Sequence, residues 1–189
     1  CNYLVVGELK RTPKFIIAIA RGVRIVEDAW LKDSAAAGYF VDPDRYVPND
    51  PEREAEWGCK LSEAVERGSK GETQVLKGMT VYLTPSLLSY LKATKSEEGL
   101  MDILKAAGAE NVYKKAPRGG VEKDTLVLGK EEGEKDLATL EKAGWKVYTT
   151  FVIGLGVIRG ALEMDDEFLV KSGAASQEEK KGRGRKPLA

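Results

Sequence analysis

Short apolar segments alternate with amphipathic segments along most of the chain, and proline, glycine or a capping residue bounds each of them. The apolar segments predict strands, and the segments with apolar residues three and four positions apart predict helices. The predicted strands are residues 3–6, 23–26, 79–84, 111–113, 125–128 and 145–148, and the predicted helices are residues 13–21, 27–37, 50–57, 61–67, 97–107, 136–143 and 151–162. Strands that alternate with helices through short turns indicate parallel sheets flanked by helices.

The order of these elements indicates an internal duplication. From residue 77 onward the order is strand, helix, strand, strand, helix, strand, helix, and the first part of the chain shows only the last four elements of that order. Residues 3–6 align with 125–128 and residues 23–26 with 145–148. We therefore expect an α/β fold of two repeats, the first truncated at its N-terminus, in a chain that is a piece of a longer protein. The predicted divisions are residues 1–49 for the C-terminal part of the first repeat, 50–76 for a helical linker, 77–171 for the second repeat and 172–189 for a disordered basic tail.

The helix predicted to begin at Pro13 has the features of an anion site at its N-terminus. Thr12 suits the N-cap position and Pro13 the first turn, and Gly22 is placed to end the helix. Arg11 and Lys14 flank free backbone N–H groups at the positive end of the helix dipole, where phosphate is a common ligand. The alternative, which the spacing alone favours, is a capped surface helix with two solvated cations.

The composition limits the chemistry that the chain can perform. The chain has 189 residues, no histidine and a formal net charge of zero. Without histidine it lacks the commonest general base and most zinc ligand sets, and zero net charge provides no overall attraction to nucleic acid or membrane. Two cysteines form no disulfide framework, which fits a reducing intracellular compartment. We expect no enzymatic activity, no cofactor, no metal, no small-molecule substrate and no membrane contact.

Several of these segments together resemble the BRCT family, and specifically a tandem BRCT pair that binds phosphopeptides. The resemblance is carried by residues 11–22, by residues 23–31 with Trp30, by the linker start at 50–61 and by the strand that leads to Thr84 and Pro85. It covers all of the chain except the tail. It implies a four-stranded parallel sheet in each complete repeat. Helical spacing places Trp30, Leu31 and Ala35 on one helix face, so Trp30 is predicted to be a core residue.

The resemblance also implies a phosphoserine site on the first repeat. Lys14 matches the lysine that binds the phosphate, and Thr12 matches the threonine that shapes the helix start. Arg11 matches the position that contacts the residue three places after the phosphoserine, or a free C-terminal carboxylate. The Ser/Thr loop that completes this pocket in the family is expected upstream of Cys1.

In the second copy, the segment from Thr84 to Ser86 occupies the place of the phosphate loop. No residue near Asp136 matches Lys14, and the family tryptophan position falls at Phe151 and Val152. The second repeat is therefore predicted to be structural and to form the wall of the specificity pocket.

The basic tail offers a separate candidate site. Arg183, Gly184 and Arg185 resemble an AT-hook, which contacts the minor groove of A·T tracts, although Lys186 departs from the pattern by preceding the proline. A generic basic tail or part of a nuclear import signal explains the same residues.

The expected function is a phosphoserine-peptide-binding scaffold module in the DNA damage response, located in the nucleus, with a phosphorylated protein or histone tail as its partner. The alternative is a phosphate-independent protein interaction module of a nuclear repair or replication scaffold, with DNA contact through the tail.

Overall fold

The computed structural model describes residues 2–118 and 121–171. The first repeat contains a two-stranded parallel sheet, in which Leu4 pairs with Ile25 and Val5 with Val26. Its elements are β1 (Tyr3–Val6), α1 (Pro13–Ala20), β2 (Arg24–Glu27) and α2 (Ala29–Ala37). The second helix begins two residues later than predicted, because Glu27 still belongs to the strand and pairs with Val6.

Two short helices, α3 (Pro51–Trp57) and α4 (Leu61–Ser69), connect the repeats. The first begins where the sequence predicted, because the Asp50 carboxylate accepts a hydrogen bond from the Arg53 amide at 3.0 Å. The second was predicted to end at residue 67 because Gly68 follows it, but α4 continues to Ser69. Gly68 has a packing role instead, because a Cβ atom there would lie 1.8 Å from the carbonyl oxygen of Ile19 in α1.

The second repeat is built around a parallel sheet with the strand order β4-β3-β5-β6. Its elements are β3 (Thr80–Leu83), α5 (Pro85–Ala93), α6 (Glu97–Ala106), β4 (Asn111–Tyr113), β5 (Thr125–Leu128), α7 (Leu137–Lys142), β6 (Val147–Tyr148) and α8 (Phe151–Arg159). This architecture confirms the predicted α/β class, with parallel strands and flanking helices.

Helix α5 was not predicted from the sequence, in which Pro85 was interpreted only as the end of a strand. Pro85 is in fact the first residue of the helix, and the Thr84 hydroxyl accepts a hydrogen bond from the Leu87 amide at 3.3 Å. The second repeat therefore contains one more helix than the predicted order.

The predicted alignment of the two copies was also wrong by one residue in one strand. Because Val5 pairs with Val26 in the first copy, the predicted alignment would place Val127 beside Tyr148. Val127 instead pairs with Val147. The connection between the paired strands is one residue shorter in the second copy, which shifts the register.

Helix α1 lies between the two repeats. Phe15, Ile16 and Ile19 are buried and belong to one hydrophobic cluster with Leu104 of α6 and Ile153 of α8. The linker contributes to the same cluster through Trp57, Leu61 and Ala64. The repeats and the linker thus share a core, and the division at residues 50 and 77 stays a prediction.

Trp30 is buried, as predicted, between the ring of Tyr3 at 4.9 Å and that of Phe40 at 5.3 Å. Its indole N–H donates a hydrogen bond to the Val41 carbonyl at 2.8 Å. The prediction that Leu31 shares this face was wrong, because adjacent helix positions point about 100° apart and Leu31 is 46% exposed. Ala35 is also exposed. At the corresponding site of the second repeat, Val152 is buried and Phe151 is 43% exposed.

Candidate functional site

The start of α1 is formed by local interactions that fix its first backbone N–H groups. Thr12 has an extended backbone, and its hydroxyl accepts a hydrogen bond from the Phe15 amide at 3.3 Å. Pro13 occupies the first turn, where its missing N–H costs no hydrogen bond. The side chain of Phe15 is buried in the shared core, so the helix start is anchored from beneath while Thr12 and Lys14 are exposed.

Lys14 carries a charge that is available to a ligand. Its side chain is exposed, and it forms no ion pair or hydrogen bond with any residue in the described parts of the chain. It lies one residue inside a helix whose first turn contains no acidic residue. An anion can therefore approach the positive end of the helix and the ammonium group together.

Arg11 is held at the boundary between the repeats. Its guanidinium carbon lies 5.0 Å from the centre of the Phe151 ring at the start of α8, a cation–π geometry. One guanidinium nitrogen lies 3.7 Å from Oε1 of Glu56 in α3, and the Arg11 side chain is 27% exposed. The aromatic ring thus fixes the position of the guanidinium group without using its hydrogen-bond donors.

Glu56 is bound more closely by another arginine. The Arg53 guanidinium donates a hydrogen bond to Oε2 of Glu56 at 2.7 Å, and this bond raises the pKa of Arg53 above its ordinary value. The contact of Glu56 with Arg11 is 1 Å longer, and at 3.7 Å it is too long to be a hydrogen bond. A peptide carboxylate could therefore bind Arg11 without breaking a short, well-formed pair.

A cleft of about 730 Å³ lies around Arg11 between the two repeats. Its walls combine Glu56 of the linker with Phe151, Leu155 and Arg159 of α8. Arg159 is fixed by hydrogen bonds to the Trp57 carbonyl at 2.7 Å and to the Glu163 carboxylate at 2.5 Å. The cleft has the size of a pocket for a few peptide residues.

The three predicted residues of the first repeat meet at the start of α1, but they do not all face the same space. Arg11 lines the cleft, whereas Thr12 and Lys14 lie outside its lining. Glu56 and Arg159 were not among the residues predicted from the sequence, and Phe151 was predicted only to be a packing residue. No local pattern relates these residues to Arg11, because the packing of α1 and α3 against α8 brings them together. The predicted tail residues Arg183, Gly184 and Arg185 lie outside the described residues.

Within residues 2–118 and 121–171, no group of histidine, cysteine, aspartate or glutamate side chains could hold a metal ion. In the same part of the chain, every helix is too short or too polar to cross a membrane.

Comparison with curated proteins finds relatives in the DNA damage response. The DNA damage response protein Mdb1 of Schizosaccharomyces pombe is 29% identical over 179 residues, which are 93% of this chain and 27% of that protein. The mediator of DNA damage checkpoint protein 1 of Homo sapiens is 40% identical over 86 residues, which are 46% of this chain and 4% of that protein. The chain thus spans a minor part of the length of either relative. No family model matches it.

Comparison with solved structures finds the same fold. The BRCT5-BRCT6 domains of Schizosaccharomyces pombe Brc1 align with a TM-score of 0.67 at 22% identity, covering 89% of this chain and 84% of that chain. Rtt107p, solved as a complex with a phosphorylated histone, aligns with a TM-score of 0.61 at 8% identity, covering 90% of this chain and 76% of that chain. Together these comparisons show that this chain has the fold of a tandem pair of BRCT repeats and is similar to DNA damage response proteins.

Proposed function

We propose that the chain is a phosphoserine-peptide-binding scaffold module that acts in the DNA damage response. Lys14 and the N-terminus of α1 bind the phosphate, Thr12 shapes the helix start, and Arg11 binds the peptide beyond the phosphate. The observation that carries this proposal is the exposed, unpaired charge of Lys14 at a capped helix start that also bears Arg11 at the inter-repeat cleft.

The chemistry of the helix start suits a phosphate dianion. A phosphoserine carries a charge of about −1.5 to −2 at neutral pH and three strong acceptor oxygens, which match free backbone N–H groups and an ammonium group. The helix dipole adds a favourable contribution of roughly 0.3–1 kcal/mol at an exposed helix end. Both effects require a charge that is not already neutralised, and Lys14 meets that requirement among the described residues.

The second contact would come from Arg11. A guanidinium group presents paired N–H donors that match a carboxylate, and the Phe151 ring holds this one in place from its face. The resemblance implies that Arg11 binds either a side chain three residues after the phosphoserine or a free C-terminal carboxylate. The resemblance therefore makes a phosphorylated histone tail the first ligand to test, and the solved complex of Rtt107p with a phosphorylated histone supports the same choice.

The proposal includes a cellular setting. The relatives are named for the DNA damage response and its checkpoint, so we propose that the module works in the nucleus as a non-enzymatic adaptor.

The test is a calorimetric titration with two versions of one peptide that ends in a free carboxylate three residues after a serine, phosphorylated or not. We expect binding of the phosphorylated peptide only, and a loss of about 100-fold or more in affinity for Lys14→Glu, because charge-assisted hydrogen bonds are lost and a repulsive charge is gained. Lys123→Glu is the matched control, since Lys123 is exposed in a distant loop. Equal affinity for the two peptides would refute the proposal.

The Arg11 contact is tested in the same titration. Amidation of the peptide C-terminus should weaken binding to the parent chain by about 10-fold. It should have little effect on binding to the Arg11→Ala variant, which lacks the guanidinium group. Repeating both titrations with the chain extended upstream of Cys1 tests whether the predicted Ser/Thr loop strengthens phosphate binding while keeping the dependence on Lys14.

The alternative function, a phosphate-independent protein interaction, is favoured by one feature of the first repeat. Tyr39 and Phe40 are 68% and 75% exposed, and Leu31 lies exposed on the neighbouring helix. Retained partner binding after Lys14→Glu and its loss after Phe40→Ser would support this alternative. Contact with DNA through the tail is a further proposal, which deletion of residues 182–189 and the salt dependence of DNA binding would test.

A further inference from the structure

The second repeat contains a buried carboxylate that the site on α1 does not use. Glu134, in the loop between β5 and α7, is only 9% exposed. Its Oε2 atom accepts hydrogen bonds from the Thr84 hydroxyl at 2.6 Å and from the Lys130 amide at 2.9 Å, and its Oε1 atom accepts one from the Asp136 amide at 3.4 Å. None of these donors is a charged group. The three hydrogen bonds offset part of the cost of burying this carboxyl group.

Thr84 is completely buried and oriented by two partners. Its oxygen accepts a hydrogen bond from the Leu87 amide in the first turn of α5, so its proton is left to donate to Glu134. The same arrangement of threonine, proline and a capped amide begins α1 at Thr12. The carboxylate of Glu134 therefore lies at the positive end of α5, bound by the hydroxyl group that caps that helix.

The position of this carboxylate in the repeat is informative. The resemblance places the phosphate of a BRCT repeat between a Ser/Thr after the first strand and the start of the helix that connects the third and fourth strands. In the second repeat, Thr84 follows the first strand β3, and Glu134 precedes α7 by three residues. The carboxylate therefore joins the same two parts of the repeat that a phosphate would join.

The backbone at Gly129 approaches the carboxylate of Glu134 closely. A Cβ atom on Gly129 would lie 3.2 Å from Oε2 of Glu134 and 2.6 Å from a methyl carbon of Val147, so the backbone closes tightly over the carboxylate. The adjacent residues Glu131 and Glu132 line the cleft that contains Arg11.

We propose that Glu134 is an internal ligand that fills the anion position of the second repeat with its own carboxylate. It occupies the place between Thr84 and the start of α7 and fixes the loop of residues 129–136, which forms one wall of the Arg11 cleft. This inference concerns the second repeat alone, and it stands whether or not α1 binds a phosphopeptide.

Emptying the pocket tests the proposal. Glu134→Ala is made in a chain that also carries Lys14→Glu, so that α1 contributes no phosphate response. Its thermal unfolding is followed by circular dichroism in sodium chloride and in sodium phosphate of equal ionic strength. We expect Tm to fall by about 5–10 °C in chloride, because three donors lose their acceptor, and phosphate to restore at least half of that loss.

The matched control is Glu141→Ala, which removes the same charge from an exposed site on α7. Its Tm should respond to phosphate only as much as that of the parent, which corrects for the general stabilising effect of phosphate. Two-dimensional ¹H–¹⁵N spectra should show saturable phosphate-dependent shifts of the Lys130 and Asp136 amides in Glu134→Ala and none in the parent. An equal change of Tm in phosphate for the parent, Glu134→Ala and Glu141→Ala overturns the proposal. Unshifted Lys130 and Asp136 amides in Glu134→Ala also overturn it.

Two further measurements cover a variant that folds poorly. If Glu134→Ala does not fold in chloride, its refolding yield in phosphate compared with chloride becomes the measured quantity, and equal yields overturn the proposal. Glu134→Gln keeps the volume but removes the charge, so we expect a lower Tm without phosphate rescue. A Tm equal to that of the parent would show that the pocket does not require an anion.

Discussion

Replacement of Gly68 by alanine tests how tightly α1 is held against the linker. An ideal Cβ atom at this position would lie 1.8 Å from the Ile19 carbonyl oxygen and 2.6 Å from the Gly22 amide nitrogen. Both contacts are with backbone atoms, so a change of side-chain rotamer cannot relieve them. Helices α1 and α4 must move apart to admit the methyl group.

Two opposing effects set the magnitude of the change. Alanine is favoured over glycine inside a helix by about 1 kcal/mol, which stabilises α4. Insertion of a methyl group into a closely packed contact costs about 1–3 kcal/mol, and more where the backbone must shift. Because the closest contact is about half of a normal van der Waals distance, we expect the second effect to dominate by about 2–3 kcal/mol. For a chain of this size that lowers Tm by roughly 5–10 °C.

The assay is urea unfolding followed by tryptophan fluorescence and by circular dichroism. Trp57 is buried in the shared core beside Phe15, at 5.4 Å between ring centres, and Trp30 and Trp145 are also buried, so tryptophan fluorescence reports on the unfolding of the chain as a whole. Gly7→Ala is the control, since no heavy atom lies within 4 Å of its Cβ position, and it should change stability by less than about 0.5 kcal/mol. If Gly68→Ala proves as stable as the parent or more so, helix propensity has dominated and the described contact is wrong.

Three further predictions concern single hydrogen bonds and one titrating group. Thr12→Ala should lower stability by about 1 kcal/mol in urea unfolding, because the Phe15 amide loses its cap, and Thr12→Ser should restore most of it. Trp30→Phe should cost about 1–2 kcal/mol by the same measurement, because the Val41 carbonyl loses its donor, and an unchanged midpoint would contradict that bond. Burial raises the pKa of Tyr148 above its ordinary value, so its stabilising effect is complete below about pH 10 and is lost as the pH rises further. Tyr148→Phe should reduce the alkaline loss of stability in a pH series of thermal unfolding, and an unaltered pH profile would contradict this prediction.

The parts of the fold that the sequence predicted are those with local causes. The start of α1 follows from Thr12 and Pro13 alone, and the strands around Val5 and Val127 follow from short apolar runs. Gly38 ends α2 in a left-handed conformation with φ 76°, as a glycine after a helix commonly does. Local backbone preference is sufficient to place these elements.

The errors have different physical origins. The signal for α5 was present, since Thr84 and Pro85 repeat the pair at the start of α1, but a proline after an apolar run also fits the end of a strand. Gly68 was predicted to end a helix because glycine often does so. Its actual role is to allow close packing against α1, a helix distant in sequence. Arg11 could be proposed from resemblance, but its contacts with Glu56 and Phe151 arise only from packing between the repeats.

The placement of α1 explains why recognition beyond the phosphate would require both repeats. The buried face of the helix, including Phe15 and Ile16, completes a core shared with α6 and α8, while its N-terminus presents Lys14 to solvent. A first repeat on its own could keep the cap at Thr12 and therefore the charge at the helix start. It would expose the apolar face of α1 and lose the Phe151 ring beneath Arg11, since that ring belongs to the second repeat. The proposed phosphate contact thus depends on one helix start, whereas the position of Arg11 depends on the packing of one repeat against the other.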